Sequence, residues 1–203
     1  IKNIKLRLYL TDTNLETAAF QVSKKTTNFV TPYVNEQPKK YLKNILNICL
    51  KNRIDLLIPL IDYDIPILAK NIKKFSSINT KLIVSNFQTV DNCFNKKKNY
   101  FFCLNNNIPV PKTFFKKNNI KKFPIIQKKI FGSGSQDNYE IKQKKELSIY
   151  DSSKFILQEK VIGQEYGMDI LNDFNGNYLH SFIRKKISIK NGETDKAVGI
   201  NSI

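Results

Sequence analysis

The seven prolines of this chain all lie between Pro32 and Pro124, and its seven glycines all lie between Gly132 and Gly199. Proline fixes φ and removes an amide donor, so it punctuates helix starts and strand ends, whereas glycine supplies the left-handed turns of hairpins and loops. A chain of 203 residues punctuated in this way divides into two structural regimes meeting near 109–124, and it is long enough to bury a substantial core.

In the first regime, 4–10 and 54–60 are apolar runs. The second of them, IDLLIPL, hardly alternates, which is the pattern of a strand buried on both faces of a parallel sheet. Between them, Leu42, Ile45, Leu46 and Cys49 recur at i, i+3, i+4 and i+7, the apolar stripe of an amphipathic helix. A third strand at 81–84 follows a helical stretch at 64–74. Strand, helix, strand, helix, strand is the order of an open α/β sheet with right-handed crossovers. In such sheets ligands gather beyond the carboxyl ends of the strands, where Asp12 and Asp62 stand. Each is placed either to contact a ligand or to cap the helix that follows.

The second regime reads as antiparallel. FPIIQKKI is a strand that enters the glycine- and serine-rich stretch FGSGSQD, KKELSIY is a short helix and KFILQEKVI is a strand. EYGMDILND and NYLHSFIRKKISI follow, joined across Asn175 and Gly176, a dipeptide strongly associated with tight hairpin turns. The expected architecture is an open α/β domain at 1–108 and an α+β lobe at 109–203.

Thirty-four basic residues against 17 acidic ones give a net charge of +17, which favours polyanionic partners: nucleic acid, a membrane surface or phosphorylated small molecules. The lysines form no single basic segment, and Lys, Asn and Ile crowd the whole sequence, so biased codon usage accounts for the charge equally well. No apolar run reaches the roughly 18 residues of a membrane span, and the N-terminal stretch has no signal-peptide pattern, so a cytoplasmic protein without a membrane partner is expected. Cys49, Cys93 and Cys103 lack the paired spacing of a zinc site, and the single His180 excludes a multi-histidine one. The sequence begins without Met and stops just after a turn-like stretch, as expected of part of a longer protein.

FGSGSQD admits two readings, a flexible hairpin or a loop whose bare backbone amides close over phosphates. Lys128, on the strand entering it, and Lys96, before the helical stretch KKKNYFFCLNNN, are placed to converge on the same anion; with 34 basic residues, their placement is also open to coincidence. Further on, Glu159 ends one strand and Glu165 begins the next, so their connection either lines a cleft or is a solvated hairpin.

Five pieces in order, IDLLIPLIDYDIPILAKN, LIVSNFQTVDNCFNKKKNYFFCLNNNIPVPKTF, FPIIQKKIFGSGSQDNYEI, LQEKVIGQEYGMDILNDFNGNYLH and RKKISIKNGETDKAVG, span most of the chain. Their combination resembles the ATP-grasp superfamily, in particular the carbamoyl-phosphate-synthase-like ATP-dependent carboxylate-amine ligases. That resemblance implies a pre-ATP-grasp domain followed by an ATP-grasp domain truncated at its C-terminal end. It implies that Lys96 and Lys128 contact nucleotide phosphates under a mobile loop formed by Gly132, Ser133, Gly134 and Ser135. Glu159, Lys160 and Val161 would meet adenine, and Glu165 would hold the ribose. Arg184 and Lys196, in the strand and loop near the acceptor, would join Lys128 in catalysis. ATP and Mg2+ are the implied cofactors, with metal ligands expected beyond Ile203.

The implied chemistry activates a small-molecule carboxylate as an acyl phosphate, which an amine then attacks; positioning and charge neutralisation are the protein's main tasks. A homo-oligomer is compatible with this reading. The family's usual Asp-Lys pair reads Asn95-Lys96 here, and its usual Lys-Pro reads Lys128-Lys129. Two other classes stay in view: a noncatalytic nucleotide-binding module, and a basic nucleic-acid binder using the Lys-aromatic stretches KKKNYFF and KTFFKK.

Overall fold

The computed structural model describes residues 5–22, 25–132, 134, 137–190 and 192–200. The chain forms two compact units, Ile1–Asp91 and Asn92–Ile203.

The first unit is built from two strand–helix–strand crossovers. β1 (Tyr9–Asp12) leads through α1 (Ala18–Gln21) to β2 (Thr27–Val30), which pairs parallel to β1. After α2 (Pro38–Asn52), β3 (Leu56–Leu57) leads through α3 (Ile65–Lys70) and α4 (Ile72–Ser76) to its own parallel partner β4 (Lys81–Leu82). The crossover from β3 to β4 is the one the sequence pattern predicts, whereas β1 pairs with β2, a strand the pattern does not mark, so the described strands of this unit form two two-stranded sheets rather than one open sheet and are shorter than the apolar runs.

Proline opens α2 at its first position, and Arg53 closes it with a left-handed φ of 51°. The stripe it buries is Tyr41, Ile45 and Cys49, with Leu42 and Leu46 packed beside them, against Leu68, Phe75 and Leu82. The predicted helix at 64–74 is divided at Asn71, whose φ of −112° leaves the helical region and whose side-chain amide donates to the Ile67 carbonyl at 2.8 Å. Asp12 accepts from the Asn14 amide at 3.1 Å, so its carboxylate shapes the turn after β1. The residue before α3 is Asp64, and its side chain makes no capping bond.

α5 (Phe87–Phe94) precedes α6 (Lys96–Asn105), which belongs wholly to the second unit. The units therefore divide between Asp91 and Asn92 rather than at the expected 108/109. Within the second unit α6 is tied down at its start: the Lys96 amide donates to the Ile130 carbonyl at 3.0 Å, and Lys97 Nζ donates to the Ser152 carbonyl at 2.9 Å.

The rest of that unit comprises two antiparallel sheets. β5 (Thr113–Phe114), β6 (Ile125–Lys129), β7 (Tyr139–Ile141) and β8 (Phe155–Glu159) form one, in the order β5-β8-β6-β7. Its core face carries Ile125, Ile141 and Leu157, packed with Ile120, Leu147 and Tyr150. The expected helix KKELSIY is a 3-10 helix at Lys144–Ile149. β9 (Tyr166–Asn172), β10 (Tyr178–Lys190) and β11 (Glu193–Ile200) form the other sheet, a meander.

The turn between β9 and β10 is wider than a two-residue hairpin. Asp173 and Asn177 close it by a backbone bond of 2.8 Å, and the Asp173 carboxylate accepts from the amides of Asn175 and Asn177, each at 2.8 Å. Gly176 takes a φ of 88°, the left-handed position of a three-residue loop. Nothing lies within 4 Å of where its Cβ would stand, so strain is the sole penalty for a side chain there. Gly176→Ala is expected to lower unfolding stability by about 1 kcal/mol with the rest of the molecule unchanged, as read from denaturant titrations.

Candidate functional site

Strand alternation puts Lys128 on the face of β6 opposite the core residue Ile125. Its cross-strand partner is Ile156, and Gln158 lies two residues further along β8 on the same face, opposite Ile126. Thr113 of β5 stands across from Gln158, and Glu140 of β7 stands across from Ile126. That face of the four-stranded sheet thus carries the polar side chains of Lys128, Gln158, Thr113 and Glu140 around Ile126 and Ile156. Lys128 Nζ donates to Gln158 Oε1 at 2.9 Å, and Gln158 Nε2 donates to Thr113 Oγ1 at 3.1 Å. Burial pushes the Lys128 ammonium below its usual lysine range, and attraction from the Glu165 carboxylate opposes that shift. Lys128 is therefore a half-buried cation whose hydrogen-bond partner is neutral.

β6 runs into the glycine loop. Gly132 has a φ of 143° and Gly134 a φ of 61°, backbone that side chains resist at both positions. Ser133 and Ser135, which the resemblance assigns to the same loop, lie outside the described residues. Lys96 Nζ donates to the Gly132 carbonyl at 2.8 Å, and the rings of Phe94 and Phe131 lie 5.9 Å apart. Lys129 forms an ion pair with Asp137 across the base of the loop. Its charge thereby serves the loop, which gives the Lys-Lys sequence a structural use. Asn95 caps α6, its Oδ1 accepting from the amides of Lys97 and Lys98 at 3.0 and 3.2 Å.

At the end of β8, Glu159 is clamped to the strand before it. Its Oε1 accepts from the Lys112 amide at 2.8 Å, and its own amide donates to the Lys112 carbonyl at 2.9 Å. Lys160 pairs with Glu140 at 2.6 Å, and Val161 is exposed. Two of the three residues assigned to adenine thus have side chains engaged with the protein.

Glu165 immediately precedes β9 and pairs with Lys186 of β10, while Arg184 Nη2 donates to Asp169 Oδ1 at 2.9 Å. Gly167 lies opposite Arg184 in the register, and a Cβ there would meet the Arg184 guanidinium at 3.8 Å. Glu165, Gly167, Asp169, Arg184 and Lys186 share one face of the meander by alternation; Tyr166, Met168 and Ile170 share the other. Lys196 is exposed on β11, opposite Ser188.

The structure brings Lys96 to the glycine loop and Lys128 within the field of Glu165. It does not join Lys196 to either. Gln158, Thr113, Lys186 and Asp169 are the partners that sequence reasoning missed. A polar Gln inside the apolar run FILQE is the signal that marks the first of them.

Among the described residues there is no group of three or more His, Cys, Asp or Glu side chains that could hold a metal ion. No helix among them is long and apolar enough to cross a membrane.

Residues 2–83 match the family model described as the PylC-like, N-terminal domain. No curated protein sequence matches the chain. Among solved structures, an L-amino acid ligase from Bacillus licheniformis is similar at 18% identity and a TM-score of 0.70, over 98% of this chain and 49% of that one. N5-carboxyaminoimidazole ribonucleotide synthetase from Thermotoga maritima is similar at 18% identity and a TM-score of 0.59, over 87% of this chain and 46% of that one. The biotin carboxylase domain of the Hydrogenobacter thermophilus 2-oxoglutarate carboxylase, solved with MgADP, ADP and bicarbonate, is similar at 12% identity and a TM-score of 0.66, over 92% of this chain and 46% of that one. The chain spans about half the length of each of these relatives. The chain thus shares its fold with about half of each of these three structures.

Proposed function

We propose that this chain is the nucleotide-binding part of an ATP-dependent carboxylate-amine ligase of the carbamoyl-phosphate-synthase-like kind. The observation that carries the proposal is Lys128: a cation drawn half out of water, tied to a neutral amide, on the strand that enters a glycine loop held by Lys96. A desolvated ammonium without a bonded counter-ion gains most from an anionic ligand. The Gly132 and Gly134 conformations let the loop backbone approach phosphate closely. In the similar biotin carboxylase domain the bound molecules are a nucleotide diphosphate with magnesium and a small carboxylate-like anion, bicarbonate. These are the classes of ligand assigned here.

In the proposed reaction a carboxylate oxygen attacks the γ-phosphorus of ATP, the bond to the β-phosphate oxygen breaks, and ADP leaves. The nitrogen of an amine then attacks the acyl carbon, phosphate leaves, and the amine proton passes to solvent or a base. Lys128 and Lys96 would neutralise phosphate charge, and the glycine loop would exclude water from the acyl phosphate. Magnesium would supply further charge neutralisation on the phosphates. Arg184 and Lys196 are the candidates for the acceptor side.

Calorimetric titration with ATP, GTP and inorganic triphosphate, each with magnesium and at two salt concentrations, tests the nucleotide reading. Saturable binding that prefers ATP supports it. Equal, steeply salt-dependent binding of all three reduces it to attraction by a +17 surface, the behaviour of a nonspecific polyanion binder. Glu165→Gln is expected to weaken ATP severalfold while inorganic triphosphate, which has no ribose, keeps its affinity. Equal losses for both ligands would refute the ribose role.

A further inference from the structure

We propose that Gln158 and Thr113 are positioning residues for Lys128, joined in a one-way hydrogen-bond relay that holds its ammonium ready for phosphate without cancelling its charge. The proposal rests on the nucleotide reading above.

The direction of the relay is set at its far end. The Thr113 hydroxyl donates to the Pro111 carbonyl at 3.1 Å, and a carbonyl can only accept. With its proton committed there, the Thr113 oxygen offers a lone pair to Gln158 Nε2 at 3.1 Å. The carbonyl end of the Gln158 amide must then face Lys128, as it does at 2.9 Å. A flipped amide would set its oxygen against an oxygen that has no proton to give, and its NH2 against an ammonium. Packing reinforces this choice, because Thr113 is buried and Gln158 and Lys128 are both half-buried on one sheet face.

The chemical consequence lies in what the partner is. Lys129, Lys160 and Lys186 each meet a carboxylate, Asp137, Glu140 and Glu165 in turn, so each of those charges is already paired. Lys128 is instead held by an amide dipole, which fixes the position of the ammonium and leaves its full charge for a ligand. Glu165 is the charged group that acts on it from the neighbouring sheet. One of its three N–H donors is used by Gln158, and the geometry points to phosphate oxygens as acceptors for the others.

The test uses the whole 203-residue chain, titrated with inorganic triphosphate and with ATP, each with magnesium. Gln158→Glu substitutes a carboxylate that pairs with Lys128, and is expected to weaken both ligands by the same factor, about tenfold. Thr113→Val keeps the shape of the side chain but frees the amide, and is expected to weaken both severalfold; Thr113→Ser restores the hydroxyl and with it wild-type affinity. A role confined to packing would not distinguish Ser from Val in this way. If Gln158→Glu and Thr113→Val both unfold at the wild-type midpoint and bind triphosphate as tightly as wild type, the relay is refuted. A wild-type chain without saturable binding overturns the nucleotide reading instead. The relay is then judged by NMR titration of Lys128 in isotope-labelled protein: a raised pKa in Gln158→Glu supports it, and an unchanged one refutes it.

Discussion

Lys128→Ala is expected to weaken ATP binding roughly tenfold to a hundredfold while the chain still unfolds cooperatively near the wild-type midpoint. The ammonium is half-buried and its bonded partner is the neutral Gln158 amide. Burial disfavours the charged form, so removing it relieves a desolvation cost that the fold itself does not recover through an ion pair. A phosphate group recovers it. Charge-assisted hydrogen bonds contribute about 1.5–3 kcal/mol each, and every 1.4 kcal/mol is tenfold in affinity, so the loss of this one side chain amounts to roughly tenfold to a hundredfold in Kd. Alanine also frees the Gln158 carbonyl from its donor, which costs the site further order. Calorimetric titration with ATP, alongside a thermal melt, reads both halves of the expectation. Wild-type affinity in the folded variant would remove Lys128 from the phosphate site, and with it the observation on which the ligase reading rests.

Much of this site was legible because its elements are local. The apolar strand FPIIQKKI, its two lysines and the glycines after it are contiguous, and the structure keeps them contiguous as β6 and the loop with left-handed backbone at Gly134. The meeting of Gln158 and Thr113 with Lys128 was not legible, since it arises only through the pairing of β8 with both β6 and β5, and register is a long-range property. Glu165 was visible as a strand-opening carboxylate, but its partner Lys186 comes from β10, 21 residues away.

The same limit governs the fold. The stripe of α2 was readable from its spacing, displaced to Tyr41, Ile45 and Cys49 because the residues that cover it, Leu68, Phe75 and Leu82, come from elsewhere in the chain. The break at Asn71 escaped because the flanking apolar residues keep a helical pattern through it, while its side chain bonds back to the Ile67 carbonyl. The division between the units fell earlier than composition suggested. Proline marks 109–124, but α6 is anchored to Ile130 and Ser152 by hydrogen bonds that composition does not encode.

Phe75→Ala is the substitution expected to cost most in stability. Phe75 lies in α4, is 0% exposed, and packs with Tyr41, Ile45, Cys49, Leu68 and Leu82, so it joins α2, α3 and β4 in one core. Truncating a fully buried phenylalanine removes its transfer free energy and leaves a cavity, together about 3–5 kcal/mol, a large part of the 5–15 kcal/mol that holds a typical domain folded. Relaxation is restricted here because the Phe75 carbonyl accepts from the amides of both Ile78 and Thr80, which fixes the backbone on either side of the turn into β4. Phe75→Leu, which refills most of the volume, is expected to recover the greater part of the loss. Lys96, Lys128, Glu159, Lys160 and Glu165 all belong to the unit Asn92–Ile203. At a temperature below the shifted midpoint the Phe75→Ala chain should therefore bind ATP with wild-type affinity. A denaturation curve paired with a titration tests this, and a fall in affinity parallel to the fall in stability would show that folding of the first unit is required to form the nucleotide site.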